Sequence, residues 1–232
     1  MEITGKTALV TGANRGLGRQ LAMELRDRGA RVYAAARDPN AVDLPGVTPV
    51  ALDITDPASI ATAARTANEV AILVNNAGSP PRASLLTGDP TVIRAEMDTH
   101  FFGTLAVTRA FAPQLAAQGS SAVLNVLSVL SWLSIPRSGA YCAAKSAERS
   151  LTNALRMELA PQGTRVTALH VGYMDTDMTR NLDVPKSDPA IIAKLAVDGI
   201  EAGDAEIIAD ETSTRVLASL SAGVAGLYPQ IA

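Results

Sequence analysis

"TGANRGLG", residues 11 to 18, sits between the apolar run "TALV" and the helical pattern "RQLAMELRDRG", so Gly12, Gly16 and Gly18 fall where a strand gives way to a helix. A strand–turn–helix junction of this kind bares backbone N–H groups and the positive end of a helix dipole to an anion, and glycines keep side chains out of the approach. The spacing is GxxxGxG, not the GxGxxG of the general dinucleotide fingerprint, so the position of the glycines carries the reading more than their spacing. Standing alone, they would equally serve a tight turn that lets helix and strand pack closely.

Outward from this turn, short β-rich runs alternate with helical patterns: "TALVT", Leu17 to Arg28, "RVYAAA", "TPVALDI", Pro57 to Ala67, "VAILVN". Asp89 followed by Pro90 predicts the start of a long helix to about Ala117, bent at Pro113 and ended by Gly119. "SAVLNVLS" follows as a strand, then a helix from about Gly139 to Leu159, then "RVTALHV" as the sixth strand. Successive strands joined by helical crossovers predict an α/β fold, a Rossmann-like doubly wound parallel sheet flanked by helices, in a single domain over residues 1–232. The proline-rich "RDPNAVDLPGV" between the second and third strands is too short for a helix and predicts a loop or single turn.

Beyond Val171 the alternation fades, with helical stretches near Asp188 to Asp198 and Thr212 to Ser221. Residues of about 174–211, with the loop at 79–90, are expected to shape a substrate pocket. Met174, Met178, Leu182, Val184, Ile191, Ile192 and Leu195 form either an apolar lid or the core face of a short helix.

The 232 residues are 47% hydrophobic, enough for one substantial core. Twenty basic residues against 23 acidic ones give no reason to expect a nucleic-acid or membrane partner, and a small-molecule substrate is the default. No signal-peptide pattern stands at the start, no apolar run reaches the roughly 18 residues of a membrane span, and Cys142 is the single cysteine. A cytoplasmic protein without a metal site is the expectation.

Arg15 inside the turn and Arg37 at the tip of the second strand bear on the nucleotide. The ribose 2′ position lies at that tip, where an acid selects NAD and an arginine accommodates the 2′-phosphate of NADP. Asp38 stands one residue further on and reads as a turn residue before Pro39. The expected cofactor is therefore NADP(H), the alternative for both arginines being ordinary surface charge.

Tyr141 and Lys145 are four residues apart on a predicted helix, hence one turn apart on one face, where an ammonium favours tyrosinate. A YxxxK pair is common on solvated helices and carries little by itself.

"TGANRGLG", "LDITD", "NNAG", Ser128, "YCAAK" and "VGYMDT", in that order, resemble the short-chain dehydrogenase/reductase family over roughly residues 5 to 180. The resemblance implies a catalytic serine in Ser128, a proton donor in Tyr141, and in Lys145 a residue that tunes the phenol and holds the nicotinamide ribose. It implies nucleotide contacts at Gly12, Asn14, Arg15, Gly16, Leu17 and Gly18, at Arg37, at Asp53 and Ile54, at Asn76, Ala77 and Gly78, and at Gly172, Met174 and Thr176. Asp53 reads alternatively as a cap of the following helix, and "NNAG" as an ordinary strand-ending turn.

Two departures stand out. Val171 replaces a family proline. His100 in "THFFGT" replaces a family asparagine that holds a water near the lysine; an imidazole with an unperturbed pKa near 6.5 could bind that water and add a titration close to neutrality, or have no part in proton transfer. His170 and Cys142 read as structural, and Trp132 as pocket lining, subunit contact or core. Hydride exchange between NADPH and a ketone, aldehyde or secondary alcohol is the expected activity, with a non-catalytic NADP(H)-binding sensor as the alternative. A homodimer or homotetramer is expected by analogy.

Overall fold

A computed structural model describes residues 1–80 and 83–231, so Pro81 and Arg82 of the expected pocket loop lie outside the described residues. The strands β1 (Thr7–Thr11), β2 (Arg31–Ala36), β3 (Thr48–Ala51), β4 (Ile72–Asn75), β5 (Ser121–Val126), β6 (Thr164–His170) and β7 (Glu206–Ile208) form one parallel sheet in the order β3-β2-β1-β4-β5-β6-β7. Leu9 of β1 is in register with Tyr33 on one side and Leu73 on the other. Chain direction across the sheet reverses between β1 and β4, and a crevice opens at the carboxyl ends of strands at such a switch point. Every residue of β1, β4 and β5 is buried, as parallel strands covered on both faces must be.

The covering helices are α1 (Gly16–Asp27), α2 (Pro57–Thr66), α3 (Pro90–Met97), α4 (Thr104–Ala117), α5 (Gly139–Leu159), α6 (Pro189–Ala202), α7 (Glu211–Ser219) and α8 (Gly223–Leu227). Three of them open on Asp-Pro. Asp56, Asp89 and Asp188 accept from the N–H groups of Ala58, Thr91 and Ala190 at 3.0, 2.8 and 2.8 Å, while the proline supplies a preset φ where no N–H is needed. Leu17, Leu21 and Leu25 of α1 pack with Ile192, Ala196 and Ile200 of α6 on one sheet face. On the other, Ile60, Phe111, Leu115, Leu151 and Leu155 bring α2, α4 and α5 together.

Three expectations need amendment. The helix expected over 90–117 is interrupted by a π-helical turn, Asp98–Gly103, whose wider winding changes which side chains face inward. Six strands become seven: β7 is only three residues and half-buried, too short to show a period, yet it pairs in register with β6 from Ala168 to His170. The apolar residues after Val171 divide, Ile192 lying in the core while Met178, Leu182, Val184, Ile191 and Leu195 are exposed. The second-to-third strand connection is the expected single turn, Pro39–Ala41, with Asp38 accepting from Asn40 N–H at 3.0 Å.

Candidate active site

The glycine turn leaves β1 at the switch point. Gly12 and Gly16 have φ of +66° and +53°, which L side chains rarely adopt, and a Cβ on Gly12 would stand 3.0 Å from Ala77 Cα. A methyl on Gly18 would overlap the Gly12 carbonyl and the Asn76 amide. No side chain caps the N-terminus of α1 at Arg15, so its first N–H groups are free to face an anion. Leu17 is buried beneath the turn, while Asn14 is only partly buried.

"NNAG" is more than a strand end. Asn76 donates to the Thr11 carbonyl at 2.9 Å, and the N–H groups of Asn76 and Ala77 both donate to Thr11 Oγ1, at 2.9 and 3.0 Å. These bonds brace β4 against the glycine turn. Thr176 reaches over the turn from the other side, 3.4 Å from where a Gly16 Cβ would be. Its segment is fixed from behind by Asp210, which accepts from Gly172 N–H at 2.5 Å and caps α7 through Ser213 N–H at 2.8 Å. Met174 is partly buried against the core and bridges to Ser187.

At the tip of β2, Arg37 is exposed and makes no ion pair or hydrogen bond among the described residues. Arg15 lies 3.8 Å from Asp177, both largely exposed, a pairing too solvated to hold it strongly. Asp53 does not cap α2; Asp56 does. Instead Asp53 accepts from the N–H and hydroxyl of Thr55 at 2.9 and 2.7 Å, which with the nearby Arg37 holds its carboxyl below the usual range. Ile54 is buried beside it. The closely approached glycines and the two available guanidiniums fit a dinucleotide with a 2′-phosphate.

Ser128 follows β5, and Tyr141 and Lys145 follow in the first turns of α5. The Lys145 ammonium stands 5.8 Å from the Tyr141 ring centre, and Ser128 lies near enough to the phenol to favour its ionised form. The three residues are therefore brought together. The lysine is buried, donating to the Val126 carbonyl at 3.0 Å and to Glu148 Oε2 at 2.7 Å. Burial pushes the Tyr141 phenol above its ordinary value; Lys145 opposes this, Glu148 adds to it, and Ser128 favours the ionised form. Lys145 thus favours tyrosinate as expected, but works against burial and against its own carboxylate partner, Glu148.

His100 projects from the π turn into this site, its ring edge-on to Tyr141 at 5.0 Å between centres. Its Nε2 lies 3.4 Å from Glu96 and 3.3 Å from Ser79 Oγ, and Nδ1 has no partner among the described residues. Burial and the nearby Lys145 lower its pKa, against Glu96 and Glu148, so the titration expected near neutrality moves to more acid pH. His170 is buried and stacks on Trp132 at 3.9 Å, and burial with Arg149 and Arg156 nearby depresses its pKa to about 4. Cys142 is buried. Glu96, Glu148, Ser79, Thr11 and Asp210 escaped the sequence reading. Glu148 had a signal, an acid on the apolar face that continues through Leu151, Leu155 and Leu159.

Comparison with known proteins follows this geometry. A family model described as short chain dehydrogenase matches residues 6–186. D-erythrulose reductase of Gallus gallus is 34% identical over 204 residues, covering 84% of this chain and 82% of the relative. A short chain dehydrogenase from Burkholderia cenocepacia J2315, solved in complex with NADP, superposes with a TM-score of 0.94 at 36% identity, covering 100% of this chain and 99% of that one. A 3-ketoacyl-(acyl-carrier-protein) reductase from Brucella melitensis, complexed with NADH, superposes at 0.81 with 27% identity over 87% of this chain and 94% of the other.

Proposed function

Because this chain belongs to the short-chain dehydrogenase/reductase family, we propose that it is an NADP(H)-dependent oxidoreductase of the carbonyl reductase or alcohol dehydrogenase type. The substrate is a small ketone, aldehyde or secondary alcohol. The observation that carries this is the gathering of Ser128, Tyr141 and Lys145 at the carboxyl rim of β5, beside the switch point where the glycine turn stands. The dinucleotide, when bound, supplies the hydride.

Everything else falls to this chain's side chains. Ser128 polarises the carbonyl oxygen, Tyr141 gives its proton to the developing alkoxide, and Lys145 orients the phenol and the nicotinamide ribose. His100 holds a water near Lys145 through its Nδ1, which has no partner among the described residues. The backbone of residues 12–18, with Asn76 to Gly78 and Gly172 to Thr176, holds the pyrophosphate and nicotinamide ends, while Asp53 and Ile54 meet the adenine. Arg37 and Arg15 take the 2′-phosphate.

The whole chain acts as a single catalytic domain, and copies of it pair through α4 and α5, beside which Phe102 is exposed and on which Met157 is exposed. No helix among the described residues is long and apolar enough to cross a membrane, and the single buried thiol suits the cytoplasm.

A carbonyl panel run with NADPH and with NADH tests the proposal: NADPH should be consumed with at least one apolar ketone or aldehyde, and preferred. Tight NADPH binding with no consumption across the panel would put a nucleotide sensor in the enzyme's place.

A further inference from the structure

The roles given to Tyr141 and Lys145 leave Glu148 unexplained. Its Oε2 accepts from Lys145 Nζ at 2.7 Å and its Oε1 from Thr104 Oγ1 at 3.1 Å, and both members of the pair are almost wholly withdrawn from solvent. With the Val126 carbonyl taking a second ammonium proton, one remains for the phenol or a bound ribose. A buried ammonium with no countercharge would tend to lose its proton or leave the site; a carboxylate in contact keeps it charged and in place. The same carboxylate reduces the field the ammonium exerts on its surroundings.

Resting on the reading of Tyr141 as proton donor, we propose that Glu148 is a positioning residue. It anchors the Lys145 ammonium and offsets its charge beside Tyr141, and so sets the pH range over which the phenol stays loaded with its proton. The other titratable groups around the pair are Tyr141 on the same helix and Glu96 and His100 from the facing α3 and π turn. β5 presents only the Val126 carbonyl, the loop after it Ser128, and α4 the Thr104 hydroxyl. Glu96 is engaged by Ser79 Oγ at 2.9 Å and by His100, and Glu148 is the one carboxylate among the described residues that bonds the lysine. Glu148 favours the protonated phenol and Lys145 the ionised one.

The test is an ultraviolet tyrosinate titration of the nucleotide-free protein, with the same titration of Tyr141→Phe subtracted to remove Tyr33, Tyr173 and Tyr228. Glu148→Gln should lower the Tyr141 midpoint by about one unit or more, the scale of a nearby charge removed, and Glu148→Asp should restore it. Lys145→Gln should raise it, and the double variant Lys145→Gln, Glu148→Gln should return close to wild type. Loss of an anchor with no electrostatic part would leave the midpoint of Glu148→Gln at the wild-type value, which overturns the proposal. Should Glu148→Gln fail to fold, the double variant, which buries no unpaired charge, decides: a midpoint as high as in Lys145→Gln overturns the proposal equally. In turnover, the alkaline limit of carbonyl reduction should move down in Glu148→Gln by the shift seen in the titration. Wild-type turnover by Tyr141→Phe would sink the assigned reaction while leaving the titration result on Glu148 intact.

Discussion

The two halves of the rim work by different physics. On the β1–β4 side, the glycine turn and the Thr11–Asn76 brace present backbone: positive φ at Gly12 and Gly16, close packing at Gly18, N–H groups at the start of α1. On the β5–β6 side the work lies in buried side-chain pairs, Lys145 with Glu148 and His100 with Glu96, and in a neutral His170 stacked under Trp132. Backbone cradles tolerate a change of nearby charge and fail when a methyl is added; a buried charge pair such as Lys145 with Glu148 does the reverse. That contrast can be broken at either end.

The largest effect is expected at Lys145→Met, which leaves the Glu148 carboxylate buried without its cation and should cost about 3–5 kcal/mol in denaturant unfolding. Lys145→Met combined with Glu148→Met should regain most of that loss; a double variant as unstable as the single would mean that the pair is not what the stability depends on.

Next is His170. Its folded-state value of about 4 lies below the unfolded 6.5, so the unfolded chain binds the proton more readily between those limits. The associated stability is complete above about pH 6.5 and is lost as pH falls towards 4, on the order of 3 kcal/mol in all. His170→Phe should flatten the acid side of a melting-temperature profile over that window, and an unaltered slope would remove His170 from the account.

Gly18→Ala follows. Overpacking against the Gly12 carbonyl should destabilise the fold by about 1–3 kcal/mol and weaken NADPH binding, with no change in the Tyr141 titration. Normal melting and nucleotide affinity in this variant would show that the turn has slack. The smallest effect belongs to Arg37→Ala: loss of one charge-assisted contact should raise the NADPH dissociation constant by about tenfold or more and leave NADH untouched. Equal losses for both nucleotides would take the 2′-phosphate away from Arg37.

The same contrast explains what could be read in advance. A cradle made of backbone leaves its mark in residue type and order, so the glycines, the Asp89-Pro90 helix entry and the strand runs marked the parallel sheet and the turn after its first strand. Tyr141 and Lys145 shared a face of one helix by their spacing, and the family resemblance, not spacing alone, singled them out together with Ser128. Glu96 was not singled out, because what makes it matter is burial and a partner's distance; Glu148 left only the trace of an acid in line with Leu151, Leu155 and Leu159, and its lysine partner showed only in the fold. The π turn that aims His100 inward leaves no periodic trace over six residues. β7 depends on an edge offered by β6, which the local sequence "AEII" does not contain.

The convergence of phenol, hydroxyl and ammonium beside the nucleotide turn is tested most directly by Tyr141→Phe, measured for NADPH binding and NADPH consumption on one preparation. Turnover should fall by orders of magnitude, on the order of 10²-fold or more, while the dissociation constant stays within a few-fold of wild type, since the lost hydroxyl serves the proton and not the cradle. Consumption at the wild-type rate would contradict the assignment.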